Sequence, residues 1–77
     1  MKKYRVYDLY EGQKTVIGHA DNKREIRKIA VDYLWETSGE CDIVYAELNP
    51  QTNKYKFSQF TQFYFTDKEL EKLAEAL

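Results

Sequence analysis

The run "DNKREIRKIAVDYLWETSG", residues 21–39, decides the fold, because it is the longest segment that reads as helix and it separates two segments that read as strand pairs. Asn22 is a capping residue, Glu25 follows three places later as in a capping box, and Gly39 lies just past the last turn. This punctuation predicts a helix over residues 22–37. Ile26, Ile29, Ala30, Tyr33, Leu34 and Thr37 recur at the 3.6-residue period and make the face that a sheet should cover. Arg24, Lys28, Val31 and Trp35 lie nearly opposite. A helix on the outside of one sheet should be polar there, so Val31 and Trp35 call for a cover. Three covers are open: the carboxyl-terminal segment through Leu70, Leu73 and Leu77, a second copy of the chain, or a foreign protein.

Outward from this helix, "KYRVYDLY" alternates like a strand, Glu11-Gly12 is a turn signal and "QKTVIGHA" supplies a second β-rich run, so residues 3–20 read as a hairpin. On the other side, "CDIVYAEL" is a third strand, "NPQTN" a turn and "KYKFSQFTQFYF", residues 54–65, a fourth strand, giving a hairpin over 41–65. Thr66 and Glu69 repeat the capping box, and Leu70, Leu73, Ala74 and Leu77 mark a short amphipathic helix over 67–77. The order is ββαββα, and residues 1–77 make a single α+β domain. The two ββα halves share only a faint echo, "RVYDLYEG" in "IVYAELNP", too little for a duplication.

A crossover from the second to the third strand makes those two strands run the same way. Order 2-1-3-4 then makes every neighbouring pair antiparallel, whereas order 1-2-3-4 puts a parallel pair at the centre. The first is preferred, as a four-stranded, mainly antiparallel sheet with a long crossover helix and a short C-terminal helix. In the fourth strand, Tyr55, Phe57, Phe63 and Phe65 share one parity, and Phe60 and Tyr64 take the other. Ser58-Gln59 is where a bulge or a break would re-aim the chain. Phe57, Phe63 and Phe65 are expected in the core, which leaves Phe60 and Tyr64 as candidates for contact.

Seventy-seven residues bury only about 60% of the unfolded chain's surface, so the seven Tyr, four Phe and one Trp are in part what stability demands. "MKKYR" has the positive start of a secretory signal but no apolar run after it, and no segment has membrane length, so the expected location is cytoplasmic. Cys41 is the only cysteine, which excludes an internal disulfide and a cysteine-based zinc site within one chain. No glycine spacing forms a phosphate loop, and His19 alone, with no carboxylate cluster at ligand spacing, makes no metal site, so no cofactor and no metal are expected. His19 and Cys41 occur once each and could pair as base and thiol, but a helix about 24 Å long separates them, which places them at opposite edges of the sheet. No catalytic residue is assigned and the chain is read as not an enzyme.

Residues 1–30 hold eight Lys or Arg against four Asp or Glu, residues 31–53 hold five acids and no base, and the remainder is balanced. Lys23, Arg24, Arg27 and Lys28 crowd the first turns of the long helix, where the macrodipole makes each cation unfavourable by about 0.3–1 kcal/mol. Either nearby acids offset that cost or the cluster meets an anionic partner. The leading expectation is a small non-catalytic interaction module, binding a protein or another copy of itself through Arg24, Lys28, Val31, Trp35, Phe60 and Tyr64. One alternative is single-stranded nucleic acid held by Lys23, Arg24, Arg27, Lys28, Lys54, Tyr55 and Lys56, disfavoured by a net charge of −1. The other is a structural accessory subunit of a larger assembly. No small-molecule substrate and no membrane contact are expected.

Overall fold

The structure is a computed structural model that describes all 77 residues. Its strands are β1 (Tyr4–Asp8), β2 (Thr15–Ala20), β3 (Ile43–Asn49), β4 (Lys54–Tyr55) and β5 (Thr61–Gln62), and its helices are α1 (Lys23–Glu36) and α2 (Asp67–Ala76). The sheet order is β2-β1-β3-β4, with every pair antiparallel and β5 also pairing with β3. This is the α+β arrangement and the strand order that the pattern favours. Its one departure is the fourth strand, which is two short strands separated by a 3-10 turn at Phe57–Gln59. The turn forms where the parity of the aromatic residues changes, at Ser58-Gln59.

α1 begins as its punctuation predicts: the Asn22 Oδ1 accepts the Glu25 N–H at 2.9 Å, and the Glu25 Oε1 accepts the Asp21 N–H at 2.8 Å. It ends in a left-handed step through Ser38 and Gly39, with Gly39 at φ 89°, a region that favours glycine. Ile26, Ala30 and Leu34 are buried. The helix lies close over β2 because Gly18 has no side chain: a Cβ there would stand 3.0 Å from the Cδ1 of Ile29. β2 is an outer strand, and Ile17 is an extra residue opposite the Val6–Tyr7 step, a β-bulge.

Two apolar clusters occupy the two faces of the sheet. Tyr4, Val6, Ala20, Ile26, Ala30 and Ile43 form the cluster under α1, and Phe63 and Phe65, whose rings meet each other edge to face at 5.0 Å, pack against it. Tyr7, Val44 and Ala46 form the second, covered by Leu9, Tyr55 and Phe57. Phe57 therefore does not join Phe63 and Phe65 in one core, as strand alternation alone implies. The 3-10 turn carries it to the opposite face, where its ring meets that of Tyr7 at 4.9 Å.

α2 is fastened at three points. Thr66 and Glu69 complete a capping box at its start, the Arg27 guanidinium meets Glu69 at 2.6 Å, and Leu73, its one buried residue, approaches Gly39. Leu70 and Leu77, which could have covered the outside of α1, remain exposed.

Asp8 is the one buried acid. Its Oδ1 accepts the N–H groups of Tyr10 at 3.0 Å and Asp42 at 2.9 Å, and its Oδ2 accepts the Tyr33 hydroxyl at 2.8 Å. Burial alone would raise its pKa, but these three donors outweigh burial and hold the carboxyl below its ordinary value of 3.8. The same bond, with burial second, pushes the Tyr33 phenol up to about 12. A carboxyl depressed in the folded state stabilises the fold above its unfolded pKa, and that contribution fades as pH falls through the folded value. Asp8→Asn should cost about 1–3 kcal/mol at neutral pH, read as a lower urea midpoint, and the gap from the parent protein should narrow below about pH 4. A gap of constant size across that range would mean that the charge of Asp8 is not its source.

Candidate functional site

The outer stripe of α1 is built as the helical period implies. Arg24, Lys28 and Trp35 are exposed and Val31 is half-buried, on the side away from the buried Ile26, Ala30 and Leu34. Trp35 keeps 44% of its surface open with α2 in place. Acids follow the bases along the same helix, with Asp32 and Glu36 in its second half.

The four cations at the start of α1 differ in what they meet. Arg27 is held by Glu69, its guanidinium lies 4.7 Å from the centre of the Phe63 ring, and it donates to the Tyr64 carbonyl at 3.4 Å. The Glu69 carboxyl, whose pKa burial alone would raise, is held low by the Thr66 N–H and by Arg27. Lys28 pairs with Asp32 at 3.2 Å across one turn, both exposed. Lys23 and Arg24 have no ion pair, side-chain hydrogen bond or ring partner within the chain. Local pairing therefore offsets the dipole cost for half the cluster and leaves the other half uncompensated.

Phe60 and Tyr64 both reach solvent, at 42% and 76% exposure, but on different sides of the molecule. Phe60 stacks on Phe57 at 5.5 Å, beside the second apolar cluster. There the Lys14 ammonium sits 4.3 Å over the Phe57 ring, and the Arg5 guanidinium lies 4.2 Å over Tyr55 while its Nε donates to His19 Nε2 at 3.1 Å. Tyr55 also donates its hydroxyl to the Lys2 carbonyl at 2.6 Å. Tyr55 is thus engaged on its face and at its tip, and Lys54 and Lys56 beside it are exposed.

Tyr64 lines a cleft of about 270 Å³ with Lys23, Arg27, Tyr45 and Gln62. A second cleft of about 270 Å³ shares Tyr45 and is lined by Tyr4, Lys56, Gln59 and Thr61. Three of the residues assigned to nucleic acid, Lys23, Arg27 and Lys56, thereby line adjoining clefts, whereas Arg24 and Lys28 line neither. Sequence reasoning missed Tyr45, which joins the two clefts, and Arg5 and Lys14, which cover aromatic rings. The alternation of β3 marks Tyr45 as facing α1, but nothing in the pattern marks it as only half-buried.

His19, next to the last residue of β2, lies beside Arg5 and Tyr55, while Cys41 precedes β3 and packs against the cluster under α1. They lie at opposite ends of the sheet, as the register Tyr4–Ala20 at one end and Asp8–Ile43 at the other requires. They are not at opposite edges, because β3 is an interior strand. Burial pushes the Cys41 thiol pKa up, which disfavours the thiolate.

Phe57 in the 3-10 turn and Phe60 just after it should separate by substitution. Phe57→Ala removes a ring packed on Tyr7 and should cost about 2–4 kcal/mol in urea unfolding, whereas Phe60→Ala should cost less than about 1 kcal/mol. Equal losses would show that Phe60 belongs to the packed interior. Comparison with known proteins returns no match: no protein-family model, no curated protein and no solved structure matches this chain.

Proposed function

We propose that the chain is a small non-catalytic interaction module of the cytoplasm that binds a protein through the outer stripe of α1. One observation carries this reading: Trp35, the single tryptophan, remains 44% exposed on a helix face where a solvated helix would be polar. Tryptophan and arginine are both enriched among the anchors of protein interfaces, and Arg24 lies at the other end of the same stripe. A cytoplasmic setting agrees with a lone half-buried cysteine that has no disulfide partner. A component of a larger assembly would use the same surface.

A photo-crosslinking residue placed at position 35 in the producing cell tests the reading, with position 71 on the exposed side of α2 as the control. Protein adducts are expected from position 35 in excess of those from position 71. Their mass separates a second copy of the chain from a foreign protein. No excess at position 35 would overturn the proposal.

A second reading has its own observation, the adjoining clefts that share Tyr45. Tyr45 and Tyr64 offer rings for bases, and Lys23 and Lys56, at separate clefts and without ion pairs, offer cations for phosphates. It predicts that a ten-residue oligothymidylate shifts the amide resonances of Lys23, Tyr45, Lys56 and Tyr64 at low salt and that the shifts fade as salt rises. Unmoved resonances at low salt would exclude this reading.

A further inference from the structure

We infer that the protein on this stripe is a second copy of the chain, bound with the two α1 helices antiparallel about a two-fold axis. The inference rests on the interaction reading above and names its partner.

Arg24, Lys28, Val31 and Trp35 follow one another at intervals of four, three and four residues, the spacing of a seam along which one helix faces another. The seam runs about 17 Å. It is asymmetric along its length, because Arg24 and Lys28 occupy its first half and Val31 and Trp35 its second, with the acids Asp32 and Glu36 beside them. An antiparallel copy sets Arg24 against the partner's Trp35 and Lys28 against the partner's Val31 in a single register. Each arginine then lies across an indole face, where a cation is attracted, and within reach of the partner's Glu36. Each lysine lays its stem on a valine and its ammonium beside the partner's Asp32. A parallel copy would put Arg24 on Arg24 and Lys28 on Lys28, which like charges oppose.

The same pairing answers the unsolved part of the charge pattern. Arg24 at the positive end of the α1 dipole has no partner within its own chain, and Glu36 at the negative end has neither an ion pair nor a side-chain hydrogen bond. Antiparallel helices bring the carboxyl-terminal half of one beside the amino-terminal half of the other, so each uncompensated charge meets a charge and a dipole end of opposite sign. A seam of three turns belongs to the small end of protein interfaces, so the dimer should be weak, with a dissociation constant in the micromolar range or above.

Sedimentation equilibrium at low ionic strength, up to about millimolar protein, tests this. A monomer–dimer equilibrium is expected, weakened at least about tenfold by Trp35→Ala and by either Arg24→Glu or Glu36→Arg alone. The double variant R24E/E36R should associate at least about threefold more tightly than either single variant, because the swap restores the two arginine–glutamate pairs while the arginine–indole contact stays lost. Residues twelve apart on one helix lie about 18 Å from each other, so a rescue of this kind cannot arise within one chain. All three side chains are exposed, and an unchanged urea midpoint confirms that the variants fold. A monomer throughout, a dimer indifferent to Trp35→Ala, or a double variant no better than the singles overturns the inference. A monomer whose position 35 still crosslinks to a foreign protein removes the second copy and keeps the binding surface, whereas a monomer with no crosslink removes both.

Discussion

The carboxylate of Asp8 is the joint on which the architecture turns. It closes the end of β1, holds the start of the turn to β2 through the Tyr10 N–H, and receives the Asp42 N–H where the chain returns from α1 to enter β3. Its third bond, from Tyr33, fixes the last turns of α1 against that end of the sheet. Three parts of the chain, the 8–10 segment, Tyr33 and Asp42, are thus tied to two oxygens. A domain this small has little apolar surface to spare, and a buried carboxylate that accepts three hydrogen bonds specifies one arrangement where greasy contacts alone would permit several.

With that end fixed, the division of labour between the two sheet faces follows. α1 sits low over β2 and β1 because Gly18 admits Ile29, and the half of the same face over β3 is filled by Phe63 and Phe65 rather than by helix. The opposite face has no helix at all. It is closed by the 3-10 turn that swings Phe57 onto Tyr7, and Arg5 and Lys14 cover the rings of Tyr55 and Phe57 from the solvent side. The crowded aromatics of residues 54–65 serve both faces in turn.

Much of this is legible in the sequence. Caps at Asn22 and Thr66, the left-handed exit at Gly39 and the helical period of α1 are local signals, and local signals mark element boundaries well. The strand order followed from one crossover and the preference for antiparallel neighbours. What could not be read depends on convergence in space. The three donors around Asp8 come from positions with no common spacing, and the shared position of Tyr45 between two clefts depends on how far α1 leaves β3 uncovered. The failure over Phe57 is instructive: the parity change was visible and located the break, but a break does not reveal to which face the chain departs. On α1 the reverse holds, since the helical period alone places Arg24, Lys28, Val31 and Trp35 away from the buried face and the structure adds which of these charges lack a partner.

The bulge at Ile17 has a further meaning for a molecule with an open sheet. From Thr15 to Ala20 the outer strand has no charged side chain and no proline, the devices that commonly stop a free border from recruiting a neighbour's backbone. The extra residue interrupts the regular row of amide and carbonyl groups instead, and at the other border β4 and β5 are too short, and too far out of line across the 3-10 turn, to offer a continuous template. Both rims are therefore poor substrates for fibre-like growth. Adhesion that ignores sequence is closed off at the backbone, and recognition is left to side chains, which can tell one partner from another.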